Sequence, residues 1–161
     1  MKALKHFLAI VAALSLFTSC GVLGGLSSGT GAQPSTGSTT GSALATIFNV
    51  LKNTGTLDLG NLTNLINLGQ ILTGANSLVD AGKSYTDQFA ADLIKGSNKM
   101  ITQANVGNVI AGLKKLAGTD TSALTKATSA AFAGNLVPVS TSDKNVKANR
   151  AAIDGIMKAM K

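Results

Sequence analysis

From residue 42 onward the large apolar residues recur every three or four positions, the spacing of amphipathic helices. Ser42 is positioned to cap "ALATIFNVLKN", with Leu44, Ile47, Phe48 and Leu51 on one face, and "TGTLDLG" ends that helix. In "NLTNLINLG" each of Asn61, Asn64 and Asn67 precedes a leucine. Leucine-rich repeats need a period of about 20–29 residues in several copies, so this run predicts a helix start. Between about Asn64 and Lys99, Ile71, Ala75, Leu78, Gly82, Tyr85 and Phe89 form one stripe. Leu68, Leu72, Ala75, Val79, Gly82, Phe89 and Leu93 form a second row beside it. The stripes predict one long helix or two nearly collinear ones, with Lys83, Asp87, Lys95 and Lys99 on the opposite face. Gly82, unfavourable in a helix interior by about 1 kcal/mol, predicts either a break or a close helix contact.

A further helix is expected over 103–117, with Val106, Val109, Ile110, Leu113 and Leu116 inward and Gly118 as its stop. Thr119 or Asp120 would cap an Ala-rich helix ending at Gly134-Asn135. "LVPVS" should be extended, since the residue before Pro138 disfavours the helical region. Ser142 or Asp143 would cap a last helix with Val146, Ile153, Ile156, Met157 and Met160 inward. Lys144, Lys147, Arg150, Lys158 and Lys161 bias its outer side toward positive charge. Period-two alternation is nearly absent. The expected fold is all-α, a small bundle-like domain of four to six helices over residues 42–161.

The chain ahead of this domain has a different character. Lys2 and Lys5 precede an apolar run, "FLAIVAALSLF", from Phe7 to Phe17. A charged start, a short apolar core and small residues at a cut site describe a secretory signal. As a helix the run would reach only about 16 Å, about half the hydrocarbon thickness of a bilayer. Thr18-Ser19-Cys20-Gly21 follows, and Cys20 is the sole cysteine. Here the sequence resembles the lipobox of bacterial lipoproteins. The resemblance, confined to about residues 1–25, implies cleavage after Ser19 and lipidation of Cys20. It also implies an anchor of two or three acyl chains; two or more hold a protein stably to a membrane, where one is marginal. Gly21 at the second mature position, and no acidic run after it, implies the outer membrane of a Gram-negative bacterium with the body facing the periplasm. Residues 20–41 are then the lipidated cysteine and a Gly/Ser/Thr tether, expected to be flexible.

Composition narrows the chemistry. The 142 residues beyond a cut at 19 hold 12 basic residues against 7 Asp, with no Glu, His or Trp. A basic balance often points to nucleic acid. Export makes anionic headgroups or cell-wall polymers better counterparts, and nucleic acid is not expected as a partner. Metal sites need clustered His, Cys, Asp or Glu, whereas Asp58, Asp80, Asp87, Asp92, Asp120, Asp143 and Asp154 are scattered. No Ser–His–Asp site can form without His, no S-x-x-K spacing occurs, and the glycines match no phosphate loop. No catalytic residue, metal or cofactor is therefore expected, and the chain reads as a non-enzyme.

Three roles remain. The first, favoured, is a lipid-anchored envelope protein with a structural or protein-interaction role, docking to an envelope protein. The second is a small binding module in which Gly82, Tyr85 and Phe89 line an apolar cleft for a ligand or lipid. The third is a peripheral module whose basic face of Lys144, Lys147, Arg150 and Lys158 reads anionic headgroups or cell-wall polymers.

Overall fold

The computed structural model describes residues 34–161, so Cys20, the leader and the tether up to residue 33 lie outside the described residues. The first helix, α1, runs Thr36–Thr54, and Ser35 caps it, its Oγ accepting the Ser38 N–H at 3.2 Å. Residues 36–41, expected to belong to the tether, are thus helical, and Gly37, Thr40 and Gly41 are buried. Ser42, expected as the cap, lies inside the helix, and the compact body begins at Ser35. Gly, Ser and Thr are weak helix formers, so tertiary contact holds this first turn. A Cβ on Gly37 would lie 2.7 Å from Asp92 Cβ and 2.9 Å from the Phe89 carbonyl oxygen. One on Gly41 would collide with the Leu93 carbonyl. Bare backbone is what lets the two helices meet this closely, and dispersion between dense backbone atoms is the return.

Helix α2, Leu62–Ser77, begins at Asn61, whose Oδ1 accepts the Asn64 N–H. Asn64 Nδ2 donates to the Asp58 carbonyl at 3.0 Å and Asn67 Nδ2 to the Thr63 carbonyl at 2.9 Å. The asparagine triplet is local capping and turn chemistry at one helix start. No ionisable residue occurs in α2, and the helix packs against α1 and two later helices, α4 (Val106–Ala117) and α5 (Ser122–Phe132). A helix apolar on several faces belongs in the middle of a domain.

The long stripe over 64–99 is two helices. α2 stops at Ser77 and α3 runs Lys83–Gly96, packed on α1 and α4. Leu78 is buried, but Val79, Gly82 and Tyr85 face solvent, so the stripe lapses until Phe89 and Leu93 re-enter the core. Gly82 precedes the first residue of α3, and a Cβ there would meet nothing within 4 Å. It marks a break and not a close contact. Beyond α3, Asn98 and Lys99 take left-handed backbone (φ 51° and 70°), which moves Lys99 off the expected helix face. Buried Ser97 holds the turn, its Oγ donating to the Ile94 carbonyl (3.0 Å) and accepting the Ile101 N–H (2.9 Å).

In α4 all five expected inward residues are buried. Helix α5 ends in the hydrogen bonds of a Schellman motif, Gly134 N–H to the Ala131 carbonyl and Asn135 N–H to the Ala130 carbonyl, both 2.9 Å. Gly134 takes φ 82°, the left-handed conformation the motif needs. Residues 135–140 belong to neither a helix nor a strand. Asp143 then caps α6, Lys144–Ala159, accepting from Asn145 and Val146 N–H. Among the described residues there are six helices and no strand. One apolar cluster, from Ala43 to Met160, draws on every helix.

Glycine sits at four of the helix contacts. Beside the α1–α3 pair, Gly74 of α2 faces Thr40 of α1, Gly69 of α2 faces the Phe132 ring of α5, and Gly112 of α4 faces Ile156 of α6.

Candidate functional site

Two adjoining shallow depressions, about 360 and 210 Å³, lie where the 55–61 loop, the non-helical segment after α5 and α6 up to Asp154 meet. Leu59 and Thr141 belong to both. The loop side is built by short-range polar bonds. Asp58 Oδ1 accepts the Gly60 N–H at 2.8 Å, which turns the chain and seats Leu57 and Leu59 in the core. Arg150 on α6 then pins this loop, Nη1 donating to the Leu57 carbonyl at 3.1 Å. Its Nε lies 3.8 Å from Asp154 Oδ1, too long for a hydrogen bond, and is buried without a partner.

The other wall is Leu136, Val137, Pro138 and Val139. Leu136 is 56% exposed, among the most exposed large apolar side chains of the described residues. None of the backbone N–H groups of Leu136, Val137 and Val139 is hydrogen-bonded to another described residue. Apolar backbone outside a helix, with free donors and acceptors, can pair with an extended chain.

A buried polar knot ties α6 to the turn between α4 and α5. Asn149 is wholly buried, and the surrounding donors and acceptors orient its amide. Oδ1 accepts from the Thr119 hydroxyl at 2.6 Å, and Nδ2 donates to the carbonyls of Asp120 (3.2 Å) and Asn145 (3.1 Å). Exposed Asp120 accepts from the Ser122 hydroxyl (2.6 Å) and N–H (3.1 Å), and these bonds, the side-chain one foremost, lower its pKa below the usual carboxylate value. It serves the start of α5. We expect Asn149→Ala to cost about 2 kcal/mol, since it removes the hydrogen bonds of a wholly buried side chain and leaves Thr119 and the Asp120 carbonyl without that partner. A denaturant titration checks this; a loss below about 0.5 kcal/mol would show the knot to be dispensable.

The residues singled out from sequence fall differently. Phe89 is buried in the core at 2% exposure, Tyr85 is 42% exposed, and their ring centroids lie 6.0 Å apart with planes tilted by 33°. Together with exposed Gly82 they lie on one edge of α3, and none of the three lines either depression. Phe89 is taken by the α1 contact. Lys144, Lys147 and Lys158 are exposed as expected, whereas Arg150 is half-buried and turned onto the 55–61 loop. The groove residues Leu59, Leu136, Val137 and Val139 carried no site expectation. For the last three the signal was the apolar "LVPVS", which helical periodicity does not pick out.

Among the described residues no three His, Cys, Asp or Glu side chains gather as a metal site would require, and no helix is long and apolar enough to cross a membrane. Comparison with known proteins returns no matching family model, no matching curated protein and no matching solved structure, so the chain's own residues are the basis for reading its role.

Proposed function

We propose that this chain is a lipid-anchored protein of the bacterial cell envelope, held through Cys20, whose helical body has a structural or protein-interaction role on the periplasmic side of an outer membrane. The observation that carries the reading is the order of its first residues: two lysines, an eleven-residue apolar run, then Thr-Ser-Cys-Gly. The fold is compatible with it. The body starts at Ser35, fifteen residues beyond Cys20, and a chain of that length reaches at most about 50 Å. A partner docked on the body would therefore lie within envelope distances of the bilayer. The groove beside Leu136–Val139 is the surface we assign to that partner, because it offers an apolar floor and unpaired backbone together.

Cys20→Ser is the direct test of the anchor. We expect the variant to leave the membrane fraction, and mass spectrometry of the parent to show an acylated N-terminal cysteine. Membrane fractionation identical to the parent, or an unmodified thiol behind a retained leader, would defeat the reading. For the interaction role, crosslinking in cells should recover one envelope protein, and Leu136→Asp should abolish its recovery.

A further inference from the structure

We propose that the outer face of α6 is a docking surface for an anionic phospholipid bilayer, through Lys144, Lys147 and Lys158. Successive residues of a helix turn by about 100°, so these three lysines project within about 60° of one another. All three are exposed. Ala151 between them, and Ala148 and Gly155 at the edge of that face, are exposed and short, a Cβ on Gly155 would meet nothing within 4 Å, and exposed Asp154 is the one carboxylate beside the face, about 20° beyond Lys147. No bulkier side chain of α6 itself therefore stands among the three ammonium groups, although Lys147 and Ala151 also border the smaller depression.

Charge complementarity argues for the occupant. Lys144, Lys147, Arg150, Lys158 and Lys161 face only Asp143 and Asp154 in the same stretch. Asp143 is engaged by the Asn145 and Val146 N–H groups, and Asp154 stands beside Arg150. By contrast α3 and its turn alternate in sign, Lys83, Lys95 and Lys99 against Asp87 and Asp92. Of the body's net charge of +5, residues 143–161 carry +3, with Lys114 and Lys115 of α4 the next basic pair and the Asp120 carboxylate held beside the start of α6 by Asn145. The face lacks aromatic residues, so it would sit on headgroups without inserting. Juxtamembrane lysines are each worth about fivefold in affinity for an anionic leaflet.

Residues 35–161 form a compact unit with its own core, so the chain from Gly21 onward, without acyl groups, can be tested alone. It should sediment with vesicles that are one-third phosphatidylglycerol, not with pure phosphatidylcholine, and be released at about 0.5 M salt. The triple variant Lys144→Gln, Lys147→Gln, Lys158→Gln should bind about a hundredfold more weakly. The variant Lys83→Gln, Lys95→Gln, Lys99→Gln, with equal loss of charge, should keep most of the binding. Equal loss in both variants, sedimentation indifferent to lipid charge, no sedimentation, or binding only to isolated cell-wall polymer would each overturn the proposal. These outcomes do not depend on Cys20, so failure here and failure of the anchor are separable.

Discussion

Gly41→Val should lower the unfolding free energy by about 3 kcal/mol or more. Any Cβ at residue 41 would collide with the Leu93 carbonyl oxygen and sit 3.0 Å from the Ser97 amide nitrogen. Both are backbone atoms of α3 or its cap, so no rotamer change relieves the clash. The helices must separate, and overpacking that moves backbone costs about 1–3 kcal/mol or more. A β-branched side chain adds its weaker helix propensity. Separation would also loosen Phe89 and Leu93, which are buried at the same contact. The matched control is Gly155→Ala on α6, in open space at ordinary helical backbone, which should stabilise by about 0.5–1 kcal/mol. Chemical denaturation of both variants measures the difference. A neutral Gly41→Val would mean that the first turns of α1 are not docked on α3.

Phe89→Ala should cost about 3–5 kcal/mol, while Tyr85→Ala should cost less than about 1 kcal/mol. The two rings are neighbours on α3 and touch at their edges, yet only Phe89 is withdrawn from water. Removing it leaves a cavity between α1 and α3 as well as losing the transfer energy of the ring. Tyr85 gives up partly solvated surface and no buried hydrogen bond. If instead the pair served as one side of a ligand cleft, both substitutions would be tolerated in stability and would change ligand retention together. Comparable small losses for the two variants would therefore favour the cleft on α3 and undercut the assignment of Phe89 to the core.

The α1–α3 contact also shows how a compositional argument fails. "STGSTTG" has little apolar surface, and on its own such a segment does not bury enough to offset its chain entropy. What changes the balance is a partner already held in place. Once α3 is seated by Phe89 and Leu93, Gly37 and Gly41 need only lay backbone against backbone, and Thr40 Oγ1 finds the Thr36 carbonyl at 2.7 Å. The four-residue spacing of the two glycines, which puts both on one face of a helix, was the available signal. It resembles a linker because linkers and close-packed helix faces both select residues without side-chain bulk.

The local pattern along the chain was enough for the all-α class, for the five buried residues of α4, for the lack of helix around Pro138, and for the start of α6, with its cap narrowed to Ser142 or Asp143. Each of these depends on neighbours within about one turn, so propensity, periodicity and capping suffice. The tertiary structure alone decided four things: that α1 begins at Thr36, that the stripe over 64–99 is two helices broken at Leu78–Gly82, that Phe89 belongs to the core and Tyr85 does not, and that Arg150 turns onto the Leu57 carbonyl while Lys144, Lys147 and Lys158 stay in solvent. These depend on which distant segment arrives opposite a residue, and periodicity along one helix carries no record of that partner.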